Sequence, residues 1–459
     1  MSEPVITNLS ATELRALLDT RAISAVELLD AVVARHRATH AAINAVVATD
    51  LDAAYQAAAA ADARFAGGER LSPIDGIPVT VKDNIGVKGM VASWGSRLFA
   101  DRICDRDDLA VERLRRAGAV IWCKTNTPEF ALAGTTENDL FGATRNPRDP
   151  RLTPGGSSGG AAAALAAGVG PLALATDAGG SARRPAAFTA TVGLRPSTGR
   201  IPRGGYFPNT THDLQTLAPM ARNVDDARLL YRVLAGPDRR DRASLVLPGA
   251  AREPGSPLRI NMFRTVSDKP VEGAILAALD DAAARLRERG SDVRDVTAPF
   301  ELGRIERIWS VLISSFAAAL VREHTDAAFG GTIRKLAEAG ATMTAVELRA
   351  AMEDLQHIRR EVDEAFAEAD AFLCPTSPCF PWPADAPFPG EIDGEPATLR
   401  DTAIFLPFAN VAGLPAISLP APGARPIGLQ LIGNFGDDEH LLDIAALLET
   451  ALGAPTQAN

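Results

Sequence analysis

Residues 153–186 read TPGGSSGGAAAALAAGVGPLALATDAGGSARRPA. Two glycine-rich turns carry Ser157, Ser158 and Ser181, and an alanine-rich apolar run separates the turns. Glycines beside a serine let the backbone come close to a ligand and leave N–H groups free to converge on an oxyanion. A flexible linker is the alternative, but a linker would not contain an apolar run that has to be buried. The stretch therefore predicts a functional site built on a buried helix and strand.

The composition is that of a globular protein, because 46% of the 459 residues are hydrophobic and 23% are charged. The net charge of −10 argues against nucleic acid or an anionic membrane as the main partner. The four cysteines form no CxxC pair, so neither a zinc site nor a disulfide framework is indicated. The sequence shows no secretory signal and no apolar run of membrane-spanning length, so we expect a cytoplasmic protein.

Helical and strand patterns alternate along the chain. Two capping boxes, Ser10–Glu13 and Ser24–Glu27, open a helical N-terminal part. A β-branched run over Ile77–Val81 predicts a strand that delivers Lys82 at its end, whereas residues 195–222 read as a Pro- and Gly-rich loop and 236–256 as a linker. The alternation predicts the α/β class, as one large domain with a central twisted mixed β-sheet and helices on both faces.

A nucleophilic serine needs a base, and three arrangements can be compared. The segment Gly155–Gly159 matches the G-x-S-x-G nucleophile elbow, but a proline-broken loop precedes it where that motif requires a strand. A serine–lysine pair of the S-x-x-K kind is excluded, since no lysine has a serine three residues before it. The third candidate is a lysine whose pKa is lowered by burial. Among only five lysines, Lys82 fits best, although a solvated strand end is its ordinary alternative.

The chain resembles the amidase signature hydrolases. The family signature runs from Gly155 to Ala186, and the two serines of that signature stand at their expected spacing. The resemblance extends to further segments, namely Asp75–Asn84, Lys124–Phe130, Thr136–Asn138, Val192–Pro196 and Pro407–Ile417. It covers most of the chain and is weakest over residues 236–370. Accordingly we divide the single domain into a helical segment (1–66), a catalytic core (67–235), a divergent substrate-side region (236–400) and C-terminal strands with a helix (401–459).

The resemblance implies a Ser–cisSer–Lys triad. Ser181 is the implied nucleophile, Ser157 the proton relay after a cis Gly156–Ser157 bond, and neutral Lys82 the base. The implied oxyanion hole consists of the backbone N–H groups of Ala178, Gly179, Gly180 and Ser181. Ser158 is expected to support the loop through its hydroxyl. No metal or cofactor is implied.

Two residues depart from the family pattern. Ala182 stands where a branched aliphatic residue is usual, and Arg184 stands where most members carry an apolar residue. We expect structural ion pairs for both Arg183 and Arg184, with substrate contact as the alternative.

The resemblance implies hydrolysis of a C–N amide bond in a small amide. Five aromatic residues lie in the divergent segments and are expected to line an apolar pocket, unless they simply belong to the core: Trp309, Phe316, Phe380, Trp382 and Phe388. An aryl or alkyl amide is the preferred substrate, with a carbamate as an alternative. The rival interpretations are a glutamine-hydrolysing component of an amidotransferase and a non-catalytic binding protein, and the sequence leaves a homodimer open.

Overall fold

Eleven strands of the described chain form one mixed β-sheet, with helices packed against it. A computed structural model describes residues 3–205, 210–245 and 257–453. Its strands are β1 Val46–Thr49, β2 Pro78–Lys82, β3 Val120–Thr125, β4 Leu172–Asp177, β5 Val192–Arg195, β6 Thr216–Ala221, β7 Arg259–Met262, β8 Asp292–Asp295, β9 Ala371–Pro375, β10 Glu391–Ile392, β11 Glu395–Pro396, β12 Ala416–Ala421 and β13 Ile427–Gly433. Strands β10 and β11 form a separate hairpin.

The α-helices cover much of the remaining described chain. They are α1 Glu3–Asn8, α2 Ala11–Asp19, α3 Ala25–Ile43, α4 Leu51–Gly67, α5 Leu109–Arg116, α6 Gly159–Ala166, α7 Arg183–Thr189, α8 Val224–Leu234, α9 Gly273–Glu288, α10 Leu302–Glu323, α11 Gly331–Ala341, α12 Ala345–Ala365, α13 Pro407–Ala412 and α14 Asp438–Leu452. Both predicted capping boxes are present, on α2 and α3.

The large sheet has the strand order β1-β3-β2-β4-β6-β5-β12-β13-β9-β7-β8. Strand β2 lies between β3 and β4 and is parallel to both. Strand β6 is antiparallel to β4, and β12 is antiparallel to β5 and β13. The predicted single α/β domain with a mixed central sheet is therefore confirmed. The finer division of the chain stays a prediction.

One segment was predicted wrongly, two elements were not predicted, and one further predicted segment lies partly outside the described residues. Residues 195–222 are not loop throughout, because they contain β6, which pairs with β4 along its length. Strand β1 and helix α11 were not predicted at all. Of the linker predicted over 236–256, residues 246–256 lie outside the described residues.

No helix in the described part of the chain is long and apolar enough to cross a membrane. The cytoplasmic location and the homodimer stay predictions.

Candidate active site

The parallel pairing of β2 and β4 brings Lys82 beside Thr176. Val81 is the register partner of Leu174, so Lys82 ends β2 close to the point where β4 reaches Thr176 and Asp177. The carboxyl ends of parallel strands commonly carry the functional groups of an α/β sheet. The sequence predicted β2 because the run that leads to Lys82 is rich in β-branched residues, and all five positions of β2 are buried.

The amino group of Lys82 is completely buried and has three hydroxyl neighbours. Its Nζ lies 2.8 Å from Ser157 Oγ, 2.9 Å from Ser158 Oγ and 3.0 Å from Thr176 Oγ1. Burial lowers the pKa of Lys82 to about 7, while the more distant charge of Asp177 acts in the opposite sense. The alternative of a solvated strand end is therefore excluded, because Lys82 has no exposed surface.

Ser157 and Ser181 lie in adjacent loops that hydrogen bond to each other. The Ser158 N–H donates to the Ser181 carbonyl at 3.0 Å. The Gly156–Ser157 peptide bond is cis, as the resemblance implies. A β-carbon on Gly156 would collide with the backbone of Gly134 and Thr135, so only glycine fits there.

The four backbone N–H groups from Ala178 to Ser181 differ in whether they already donate a hydrogen bond. Gly180 N–H, one of the oxyanion donors that the resemblance implies, donates to Asp177 Oδ1 at 2.8 Å. The N–H groups of Ala178, Gly179 and Ser181 donate to no acceptor in the described part of the chain. Three of the four expected donors are therefore free to meet a ligand.

Asp177 and Arg183 form the predicted ion pair, which fixes the turn before α7. Arg183 Nη2 lies 3.0 Å from Asp177 Oδ1, and both side chains are fully buried. Burial alone would raise the pKa of Asp177, but Arg183 holds it well below the usual range. Arg183 also donates to Gln430 Oε1 at 2.5 Å and to Asn410 Oδ1 at 2.6 Å. Because Asp177 binds Gly180 N–H, this network positions the Ser181 loop.

Arg184 has no ion pair within the described residues, so that prediction was wrong. Its Nη2 donates to the Thr402 carbonyl at 3.2 Å, its Nε has no partner in the described chain, and its side chain is buried. Its aliphatic part packs on Gly155, and its guanidinium lies against Gly134. Burial without a carboxylate lowers the pKa of Arg184.

The five aromatic candidates divide between the site and the core. The half-buried indole of Trp309 on α10 covers Gly179, and a β-carbon on Gly179 would lie 2.8 Å from its ring. Trp382 is buried against Phe188, with ring centroids 5.4 Å apart, and Phe380 is also buried in the core. Phe316 packs on Phe130, and Phe388 is half-buried.

A cleft of about 320 Å³ borders the Ser157 loop, because Ala133 and Thr135 line it and Thr135 packs on Gly156. The charged residues that line the cleft are Arg97, Glu129, Glu137, Asp139 and Asp385. Arg97 lies 3.9 Å from Asp139, so carboxylates dominate the charge of the cleft.

Sequence reasoning missed Asn84 and Thr176, which also belong to the site. Thr176 Oγ1 contacts Lys82 Nζ, and Asn84 Nδ2 donates to Thr176 Oγ1 at 3.0 Å. Thr176 follows apolar positions of β4, and Asn84 lies two residues after the end of β2. That was the available signal, since adjacent parallel strands bring such residues together at one sheet edge.

The fold and the serine–lysine site together define a hydrolase of the amidase class, and comparison with known proteins agrees. The model of the Amidase family matches residues 27–442, and the chain belongs to this family. It is 33% identical to one of the subunits of the glutamyl-tRNA(Gln) amidotransferase of Symbiobacterium thermophilum, over 95% of each chain.

Solved structures of related enzymes superpose closely on the fold. A bacterial aryl acylamidase of the amidase signature family has a TM-score of 0.87 at 28% identity, with 96% of each chain covered. A 6-aminohexanoate cyclic dimer hydrolase has a TM-score of 0.85 at 28% identity, with 98% of this chain and 99% of that chain covered.

Proposed function

We propose that this chain is an amidase that cleaves a small amide through an acyl-enzyme on Ser181. The observation that carries the proposal is the buried contact of 2.8 Å between Lys82 Nζ and Ser157 Oγ. A lysine whose pKa is lowered to about 7 by burial supplies a base near neutral pH. The loop of Ser157 hydrogen bonds to the loop of Ser181, so the base acts close to the nucleophile.

The reaction proceeds in two halves. Ser181 Oγ forms a bond to the substrate carbonyl carbon, its proton moves to Ser157 Oγ, and the Ser157 proton moves to Lys82 Nζ. The C–N bond then breaks, and the leaving nitrogen takes the proton back through Ser157. Water repeats the sequence on the acyl-enzyme, which releases the acid and restores Ser181.

The free N–H groups of Ala178, Gly179 and Ser181 are the proposed oxyanion donors. A preorganised donor of this kind contributes about 3 kcal/mol to lowering the barrier. Gly180 acts differently, because its N–H binds Asp177 and thereby fixes the direction of its neighbours.

The indole of Trp309 supports an aryl or alkyl amide as the substrate. Because it covers Gly179, a group bound at these N–H donors would have an aromatic surface beside it. Aromatic faces favour apolar and aromatic ligands. A carbamate passes through the same acyl chemistry and is the alternative substrate class.

A second candidate is a glutaminase that supplies ammonia to a partner, because the related Symbiobacterium protein is one of the subunits of an amidotransferase. Free glutamine is a zwitterion, so its α-carboxylate needs a cation and its α-ammonium needs an anion or other acceptor. The cleft carries Glu129, Glu137 and Asp385 beside the paired Arg97 and Asp139. The lining carboxylates could meet the α-ammonium, but the arginine of the described lining already faces Asp139 and leaves the α-carboxylate without a cation, so the free-standing amidase is preferred.

The deciding experiment compares the purified chain with Ser181→Ala on anilides, primary amides, glutamine and aryl carbamates. We expect turnover of an anilide, amide or carbamate that Ser181→Ala abolishes. No turnover of any substrate by the chain alone would favour the partner-dependent glutaminase. Turnover that survives Ser181→Ala would exclude the mechanism.

The substrate class has its own test in Trp309→Leu. We expect a tenfold or greater loss of kcat/KM on anilides, of the size that one aromatic contact supplies (about 1.5 kcal/mol), and a smaller loss on acetamide. Phe316→Leu is the matched control, because Phe316 lies on the same helix but packs on Phe130. Equal losses on both substrates would contradict an aryl pocket at Trp309.

A further inference from the structure

The three hydroxyl neighbours of Lys82 limit which protonation state of the lysine can satisfy every hydrogen bond at this site. A neutral lysine has two N–H groups and one lone pair, whereas a protonated lysine has three N–H groups and no lone pair. Ser157, Ser158 and Thr176 all lie within 3.0 Å of Lys82 Nζ. Where each hydroxyl sends its own proton therefore decides which form of Lys82 the site accommodates.

The proton of Ser158 is already committed. Ser158 Oγ donates to the Thr176 carbonyl at 3.1 Å, so Ser158 receives a hydrogen bond from Lys82 in either form. Ser158 therefore does not distinguish the two forms.

The proton of Thr176 does distinguish them. Asn84 Nδ2 donates to Thr176 Oγ1, and no acceptor for the Thr176 hydroxyl proton other than Lys82 lies within hydrogen-bond reach in the described part of the chain. If Lys82 is protonated, this buried proton has no acceptor, which costs free energy. If Lys82 is neutral, its lone pair accepts from Thr176 at rest and from Ser157 during catalysis.

We propose that Asn84 is a positioning residue that favours neutral Lys82 because its side chain presents an N–H group, and not an acceptor, to Thr176. The inference rests on the proposed function for its catalytic meaning. Asn84 is buried, and its side-chain hydrogen bond within the described residues goes to Thr176, so we infer that it acts on Lys82 through that hydroxyl.

The charged groups around Lys82 do not account for the neutral form. Asp177 on β4 favours protonation, and Asp83 binds Ser93 Oγ at 2.5 Å. Lys124 on β3 is held by the Ile85 carbonyl, and α6, which packs on β2, has only glycine, alanine and leucine. Behind Asn84, the lining residues of a small cavity include the charged Asp108 and Arg203.

The test uses the low lysine content of the chain. With only five lysines in the sequence, ¹³Cε-lysine labelling gives few enough NMR signals to follow each titration, and Lys82→Met assigns the signal of Lys82. In the intact chain, Asn84→Asp is expected to raise the Lys82 pKa by about one unit or more, because the carboxylate accepts the Thr176 proton. Lys124, the other fully buried lysine, is the internal control and should shift less.

The carboxylate of Asn84→Asp also acts through its charge, so a double-mutant cycle separates the two effects. In a Thr176→Val background the same substitution should raise the Lys82 pKa by less than half as much. An equal rise with and without the Thr176 hydroxyl would overturn the proposal, as would an unchanged pKa. If the Asp variant does not fold, Asn84→Ala replaces it in the test. We expect Asn84→Ala to raise the Lys82 pKa by a smaller amount, because water can then accept the Thr176 proton. An unchanged Lys82 pKa in this variant would overturn the proposal.

Kinetics give the second readout. The acidic limb of kcat/KM in Asn84→Asp should move to higher pH together with the NMR titration, with activity recovering at alkaline pH. Loss of activity at every pH without movement of the limb would indicate a merely structural role. The NMR experiment needs no turnover, so its outcome is independent of whether Ser181→Ala abolishes activity.

Discussion

Lys82 and Lys124 lie on neighbouring parallel strands, β2 and β3, and both are fully buried. Burial lowers the pKa of each. Their partners differ, because Lys82 meets three hydroxyl groups while Lys124 donates to the Ile85 carbonyl and is attracted to Asp83. A hydroxyl can return a proton and a carbonyl cannot. The chemistry of the neighbours, more than burial, therefore distinguishes the proposed base Lys82 from the structural cation Lys124.

The largest effect is expected from Lys82→Met. We expect kcat to fall about 10³-fold, because the variant lacks the proposed base for Ser181. Steady-state kinetics on the best substrate measure the loss. The Lys82→Met/Ser181→Ala double variant should be no slower than Ser181→Ala, since the residues act as one unit. Retention of more than a tenth of the activity would remove Lys82 from the mechanism.

Lys124→Met is expected to affect stability instead. The variant leaves the buried Ile85 carbonyl without its donor and removes the cation that attracts Asp83, so a loss of about 1–3 kcal/mol is expected. Urea unfolding measures the free energy of unfolding, and kcat per folded molecule should stay within tenfold of the parent. The Asp83→Asn/Lys124→Met double variant should regain part of the loss. If Lys124→Met left the free energy of unfolding unchanged and lowered kcat as much as Lys82→Met, the structural role assigned to Lys124 would be wrong.

The pH dependence of kcat/KM distinguishes the lysines without mutation. The base is active only when neutral, so activity should fall about tenfold per unit as pH drops below the Lys82 pKa of about 7, and flatten above it. A pH series from 5 to 9 on a non-ionising anilide measures the limb. Lys124→Met should retain the same limb. A flat profile across this range would contradict a lysine base with that pKa.

The smallest effect is expected at Arg184, which extends the comparison to arginines. Arg184→Met should change the free energy of unfolding by less than about 1 kcal/mol or increase it, because an apolar side chain replaces a buried cation that has no carboxylate partner in the described chain. Arg183→Met is the matched variant and should lose about 3 kcal/mol or more, since Asp177 would be left unpaired. Thermal and urea unfolding compare the two, and equal losses would contradict the difference between them.

The sequence predicted the elements whose cause is local. The apolar run that ends in Lys82 became β2, and the two capping boxes opened α2 and α3. Strand β6 was missed because it forms through pairing with distant strands and not through a local sequence pattern. It contains Pro219, which lacks the N–H of a central strand, but β5 pairs only with Met220 and Ala221, so Pro219 has a neighbour strand on one side alone.

The candidate site was predictable in its residue types but not in its contacts. The spacing of Ser157 and Ser181 and the position of Lys82 are properties of the sequence. Whether Arg183 or Arg184 finds a carboxylate depends on which side of α7 faces Asp177, which no local pattern shows. The proposed role of Asn84 was equally unpredictable from local sequence, because it depends on the pairing of β2 with β4.

The links from Arg183 to Leu406, Asn410 and Gln430 also have a consequence for biosynthesis. These partners are separated from Arg183 by 223 to 247 residues of chain. A growing polypeptide therefore presents both serine loops long before the ribosome has made the residues that hold Arg183 in place. The candidate site is thus expected to stay incomplete on the nascent chain and to form only late in synthesis, so unfinished chains are expected to lack the proposed activity.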